Sequence, residues 1–318
     1  MARAKIVIDT DCGVDDALAL MLAFSRSDLC EVLAVTCCHG NTIVDNVCDN
    51  VLRVCEACDI KQLDIFRGCH QPLIDRACSE EFFGVDGFGN KSSEFPKSSI
   101  GIKEEHAVHA LIRLAKEHPK EISVVAIAPL TNLALAQRID PTFFANLKEI
   151  CILGGNVDAI GNVTTAAEFN FFADPEAAYI VLSEEANFTI IPWETCEKSK
   201  MTEIWFKNWL ERSNKNKKGK MVNSLMPIIQ QISENETIES TNDADLLAVA
   251  AVICPDSISE FIIRPVSVEL RGSLTRGQAV VEKRPEYIQN ETNKKKIVIN
   301  FKTELLEELR NSVAHDIC

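Results

Sequence analysis

The sequence predicts an α/β fold with a mostly parallel central sheet flanked by helices. Three observations carry that expectation. Short apolar runs recur along residues 1–190, segments of helical periodicity separate them, and polar motifs collect where the runs end. Strands alternating with helices need crossover connections, and crossovers cover both faces of a parallel sheet.

Residues 5–8 are a first apolar run that meets a polar loop, and residues 14–24 follow with helical periodicity. Residues 31–36 form a second strand. Residues 43–58 repeat Val44, Val47, Cys48, Val51, Cys55 and Cys58 at helical spacing. Residues 102–118 predict another helix, stopped by Pro119, and residues 122–128 a third strand. A fourth strand, 149–153, closes on Gly154-Gly155. Asp174-Pro175-Glu176 reads as a capped helix start with Pro in the first turn. Residues 188–191 form a fifth strand. The segment 213–240 departs from this pattern: it is Asn/Lys-rich, carries Lys215, Lys217, Lys218 and Lys220, and reads as either a mobile lid or a solvated insertion. Residues 256–318 hold strand-like and helical runs with no evident chemistry. With no internal repeat and no linker, the expectation is one domain over residues 1–318, the insertion at 213–240 being its candidate mobile part.

Of the 318 residues, 46% are hydrophobic and 25% charged, which is ordinary globular composition. Lys+Arg 33 against Asp+Glu 47 leaves a net charge of −14. That balance disfavours a nucleic-acid partner and an anionic membrane surface, both of which would repel the chain. No run approaches the roughly 18 apolar residues of a membrane span, and residues 1–13 lack the apolar core of a signal peptide. The odd count of 13 cysteines, mostly with apolar neighbours, argues for small buried hydrophobes in a reducing compartment. A cytoplasmic location is expected.

In a parallel sheet, ligands bind beyond the carboxyl ends of the strands. DTDCGVDD, HGN, PLTN and GGN follow the first four runs in turn, so one composite site is expected. Asp9, Asp11, Asp15 and Asp16 put four carboxylates within eight residues, with no Lys or Arg between Lys5 and Arg26. Like charges this close raise one another's pKa unless a cation lies among them. A helix cap accounts for one carboxylate, whereas a hard divalent ion accounts for all four, and oxygen ligands favour Ca²⁺ or Mg²⁺ over Zn²⁺. Downstream, Asn162, Glu168, Asn170 and Asp174 mix amides with carboxylates, a set suited to sugar hydroxyls.

DTDCGVDDALAL resembles the N-terminal signature of the nucleoside hydrolases, calcium-dependent N-ribohydrolases of the inosine-uridine preferring type, which commonly reads DTDPGxDDAxA. The likeness continues through HGN (39–41), APLTNLALA (128–136), ILGGN (152–156) and GNVTTAAEFNFFADPEAA (161–178). It resumes at ADLLAVA (244–250) and VELRGSLTRGQAVV (268–281). The resemblance implies a Rossmann-like nucleoside hydrolase fold, a homodimer or homotetramer, and cleavage of ribonucleosides to ribose and free base in nucleoside catabolism and salvage. Carried over, Asp11, Asp16 and Asp245 bind Ca²⁺ together with the backbone carbonyl of Ile127, and Asp9 supports them from behind. Asp243 is the alternative to Asp245, two residues away. Asp15, Asn162, Glu168 and Asn170 hold the ribose hydroxyls, Asn41 lines the pocket, and Asp11 is the general base toward a Ca²⁺-activated water.

Three departures from the family pattern stand out. Cys12 replaces the usual Pro, and its carboxylate neighbours favour an inert thiol. Ala244 stands where inosine- and uridine-preferring members carry His and purine-preferring ones Trp, and Phe83 stands where a second His is common. Both familiar base-activating groups are therefore absent. The third is the weak match across 213–240, where members place base-contacting elements. Trp193, Trp205 and Trp209 are candidates to stack on a base or to fill the core. His106 with His109 reads as a solvated helix face, and Cys55-x-x-Cys58 as an apolar stripe. The alternative function is a non-catalytic nucleoside- or ribose-binding protein that retains the metal site. A phosphotransferase with an aspartyl nucleophile fits the downstream blocks less well, and a phosphorylase lacks a basic residue for its anion.

Overall fold

The structure, a computed structural model, describes residues 3–74, 82–213, 216–234 and 240–314. The chain starts in the middle of its sheet. Strand β1 (Ala4–Thr10) leads into α1 (Val14–Ser25), β2 (Cys30–Cys37), α2 (Val44–Ala57), β3 (Asp64–Arg67) and β4 (Ile102–Lys103). The sheet grows outward on one side of β1 in that order. After α3 (Ala107–Glu117) the chain returns to the other side of β1 with β5 (Ile122–Ala126). From there α4 (Thr131–Ile139), α5 (Phe143–Asn146), β6 (Glu149–Leu153), α6 (Phe169–Ala173), α7 (Pro175–Ser183) and β7 (Phe188–Ile191) extend it the opposite way. The reversal between β1 and β5 is a topological switch point, where strand ends open a crevice. DTDCG follows β1 and APLTN follows β5, so the fold itself brings these motifs together.

The remainder completes one edge. α8 (Trp193–Lys198), β8 (Met201–Thr202), α9 (Glu203–Ser213), α10 (Lys217–Glu234), β9 (Ser240–Thr241) and α11 (Ala244–Ile253) precede β10 (Ile258–Val268). β11 (Ala279–Val281), α12 (Pro285–Asn290), β12 (Lys294–Phe301) and α13 (Thr303–Ala314) follow. Among the described residues the main sheet has ten strands, and all its pairings are parallel except β10 with β11 and β10 with β12. β8 and β9 form a separate antiparallel pair.

Central strands are buried on consecutive residues, and their side chains alternate between two cores, one on each face of the sheet. Ile6 and Ile8 of β1 join the core under α1, α2, α10, α11 and α13, while Val7 joins the core under α3, α4 and α7. α1 and α11 are buried along almost their whole length and pack on each other. Helices this apolar belong inside, and their N-termini carry Asp15, Asp16 and Asp245 into the same region.

Several expectations need correction. The helix expected over 102–118 starts at Ala107, with His106 Nδ1 accepting from Val108 N at 3.3 Å. Ile102 instead pairs beside Ile65 as β4, a contact that helical periodicity does not reveal. The third strand ends at Ala126 rather than residue 128. β3 gives no periodic signal in the sequence, being four residues long with charged ends. Of the two readings of 213–240, the solvated insertion is the one corrected: the segment holds α10, whose Met221, Val222, Leu225, Met226 and Ile229 are buried. Its lysines obscured that i, i+4 pattern. Residues 214–215 and 235–239, including Lys215, lie outside the described residues. Trp209 is core, donating its Nε1–H to Arg310 O at 3.1 Å, with Trp205 stacked on it. Each cysteine among the described residues is a free thiol, and most are buried.

Candidate active site

The loop after β1 is held from every side. Asp9 is fully buried, and its Oδ1 accepts from Thr36 Oγ1 at 2.5 Å and Asn132 Nδ2 at 2.8 Å. Burial pushes its carboxyl up to about 7. Asp16 closes the loop: it accepts from Thr10 Oγ1 (2.5 Å), Gly13 N (2.9 Å) and Asn41 Nδ2 (3.1 Å). The capping reading is therefore satisfied by Asp16, which leaves the other carboxylates unexplained. Asp11 Oδ2 accepts from Asn41 N at 2.7 Å, while Asp11 Oδ1 is buried without a hydrogen-bond partner among the described residues. The HGN motif has Gly at its centre because a Cβ on Gly40 would lie 2.0 Å from Asp11 Oδ2. Cys12 has φ 32, a backbone closed to proline. Burial and the adjacent Asp16 and Asp11 push its thiol well up, as expected of an inert group.

Asp15, Asp16 and Asp245 each offer a carboxylate oxygen, all within 4.8 Å of one another. Burial and then Asp16 push Asp15 up to about 7, and burial with Asp15, Asp16 and Asp11 pushes Asp245 well up. The same forces act on Asp11. Among the described residues the one basic side chain lining this cavity is Lys200, and it is already paired with Glu197 at 2.8 Å. An all-oxygen carboxylate set with a buried, unpartnered Asp11 oxygen and no free cation is the donor set that a hard divalent ion takes.

Asp243 belongs elsewhere. The Arg310 guanidinium grips it with two bonds, Nε to Oδ2 at 2.7 Å and Nη2 to Oδ1 at 2.6 Å, both residues being buried. Arg310 Nη2 also donates to Ser199 O at 2.7 Å. Of the two aspartates left open by the sequence, Asp245 is the one beside Asp15 and Asp16.

Glu168, which lines the same cavity, caps the N-terminus of α6. Its Oε1 accepts from Asn170 N (2.8 Å), and its Oε2 accepts from Gly155 N (2.8 Å) and Phe171 N (3.1 Å). Burial pushes it up to about 7. Asn170 Nδ2 reaches the carbonyls of Ile127 (3.3 Å) and Leu153 (3.2 Å), which puts the Ile127 carbonyl at the end of β5 beside the sugar-type residues. Asn162 is exposed at the rim, accepting from Phe169 N at 2.9 Å.

One cavity is lined by Asp11, Asp15, Asn41, Ile127, Asn162, Glu168, Asn170 and Asp245. Asp9 and Asp16 are not among its lining residues, though an Asp16 carboxylate oxygen lies within 4.8 Å of those of Asp15 and Asp245, which are. Asp174 is not part of it: it caps α7 through Ala177 N at 3.0 Å and holds Thr131 Oγ1 at 2.7 Å. Phe83 and Ala244 do line the cavity, as does Trp193. Sequence reasoning missed Glu197, Lys200, Asn242 and Ile229. The two charges look like helix-surface residues, and the one available signal was the position of Asn242 just before the ADLLAVA block.

The family model described as inosine-uridine preferring nucleoside hydrolase matches residues 6–308. The chain is 33% identical over 280 residues to the inosine-uridine preferring nucleoside hydrolase of Leishmania major, with 87% of each chain covered. It is 32% identical over 290 residues to the enzyme of the same name from Crithidia fasciculata, covering 89% of this chain and 90% of that one. Among solved structures, an inosine-guanosine nucleoside hydrolase superposes with a TM-score of 0.89 at 29% identity over 100% of both chains. A plant nucleoside hydrolase gives 0.90 at 27% identity, over 98% of this chain and 99% of that one. With its fold and nearly its whole length in agreement, the chain belongs to the inosine-uridine preferring nucleoside hydrolase family.

Proposed function

We propose that this protein hydrolyses the N-glycosidic bond of ribonucleosides to ribose and free base, with Asp11 as general base and Ca²⁺ as its metal. The observation that carries the reading is Asp11 Oδ1, buried and unpartnered, interacting electrostatically with Asp15 and Asp16 of the Asp15–Asp16–Asp245 carboxylate group, beside which no free cation lies among the described residues. Asp11, Asp16, Asp245 and the Ile127 carbonyl would hold the ion. Bound there, Ca²⁺ supplies positive charge that acidifies a water and draws in the sugar hydroxyls. Asp11 Oδ1 takes the water proton, the water oxygen bonds to the anomeric carbon, and the electron pair of the C–N bond leaves with the base. Asp15, Asn162, Glu168 and Asn170 hold the 2′- and 3′-hydroxyls, with Asn41 beside them, while Asp9 keeps the strand end in place. A deoxyribonucleoside would leave some of these buried groups unpaired, so ribose is preferred.

A purified sample, sized by light scattering, is tested in phosphate-free buffer against inosine, adenosine, guanosine, uridine and cytidine, with Ca²⁺ or with chelator. Ribose and base released only with Ca²⁺ is the expected result. Saturable binding without release would overturn the hydrolytic reading. A mass of two or four chains is expected, from the family resemblance. A cytoplasmic location is part of the same proposal, supported by the free thiols among the described residues.

The metal reading carries a pH signature. Asp15 titrates near 7 and Asp11 and Asp245 well above the carboxylate range, all raised from their unfolded values. For a raised carboxyl, the stability it confers is present below its unfolded pKa and is lost as pH rises through the folded one. Chelated protein should therefore melt lower at about pH 8 than at about pH 5.5, and Ca²⁺ should raise Tm more at the higher pH, because ligation requires deprotonated oxygens. An equal Ca²⁺ effect at both values would count against these carboxylates as ligands.

A further inference from the structure

The cavity has a second polar wall that the proposed hydrolysis does not use. Asn242 is 8% exposed and lines the cavity, yet neither its Oδ1 nor its Nδ2 has a partner among the described residues. An unpaired buried amide is costly, so a group that meets both atoms is expected to occupy the space. Lys200 lines the same cavity with its side chain 8% exposed. Its ammonium has three donors, one of them spent on Glu197 Oε2 at 2.8 Å. Glu197 Oε1 is likewise buried and unpartnered.

The backbone holds these groups together. β8 and β9 pair Met201 with Thr241, so the next step of the ladder sets Lys200 opposite Asn242. Arg310 bonds to the neighbour of each, Ser199 O on one side and the Asp243 carboxylate on the other. Arg310 thus ties the two segments of this wall together, and Asn242 lies two residues before Ala244, which lines the same cavity.

We infer that Lys200, steered by Glu197, and Asn242 recognise the leaving base, and that they do so for bases bearing a carbonyl next to a ring N–H. This rests on the hydrolytic reading above. When the C–N bond breaks, its electron pair spreads over the ring onto such a carbonyl oxygen, and an ammonium that donates to that oxygen stabilises the charge. Asn242 offers an acceptor to the ring N–H and a donor to the carbonyl. Adenine has no carbonyl oxygen for Lys200.

The test compares kcat/KM for inosine, adenosine and p-nitrophenyl β-D-ribofuranoside in wild type, Lys200→Met and Asn242→Leu. The p-nitrophenolate is a good leaving group and needs little help. Each variant should lose at least about tenfold on inosine, and lose about tenfold less on the other two. Asn242→Leu should not lower Tm, since it removes an unpaired buried amide. Equal losses on all three substrates, or none on inosine, would overturn the inference. If wild type splits none of them, the hydrolytic reading fails separately. Inosine affinity by calorimetry then decides: weakening of at least about fivefold in Lys200→Met upholds base recognition, whereas an equal affinity, or no binding by wild type, overturns it.

Discussion

Asp11→Asn is expected to lower kcat by about 10²- to 10⁴-fold, the range supplied by a positioned general base, while the fold survives. The Asn side chain retains an oxygen for the Asn41 N–H now bonded at 2.7 Å. What disappears is the proton-accepting charge at the unpartnered oxygen. Removing one of several mutually repelling carboxylates also relieves the cluster, so the metal-free variant should melt no lower than wild type. Progress curves and thermal melts of the two proteins check both halves. Retained turnover would exclude Asp11 as the base, and a large fall in Tm would make its role structural.

The second large effect separates two neighbouring aspartates. Asp243→Ala strands the Arg310 guanidinium, only 3% exposed, without its carboxylate. Breaking a buried ion pair in this way costs about 3–5 kcal/mol, readable in urea denaturation with chelator present. Asp245→Ala should do the opposite. It removes a repelled carboxylate, leaves metal-free stability unchanged or higher, and abolishes the stabilisation by Ca²⁺. Replacing both members of the pair, Asp243→Leu with Arg310→Met, should recover part of the loss, since neither charge is left alone. Reversed behaviour of the two alanine variants would exchange their assignments.

Much of this was legible in the sequence because it rests on local signals. The aspartates of DTDCGVDD, the amides and Glu168 of the fifth block, and the strand ends that carry them are short-range patterns, and the switch between β1 and β5 gathers them. What stayed hidden depends on contacts distant in the chain. Arg310 is an ordinary helix residue until α13 packs beside Asp243, 67 positions away. Lys200 and Asn242 become neighbours only through the short β8–β9 ladder. β3 and β4 are too brief for periodicity, and α10 was concealed by its lysine-rich start.

The clamp by Arg310 has a consequence for how the protein is made. Asp11, Asp15 and Asp16 leave the ribosome well before Asp245 and Arg310. At typical elongation rates the first carboxylates wait roughly 15–60 s for the residue that anchors the far side of their pocket. A nascent chain therefore carries half a site until α13 emerges, and a transcript truncated before α13 yields a product with the acidic loop but without the guanidinium that fixes its opposite wall.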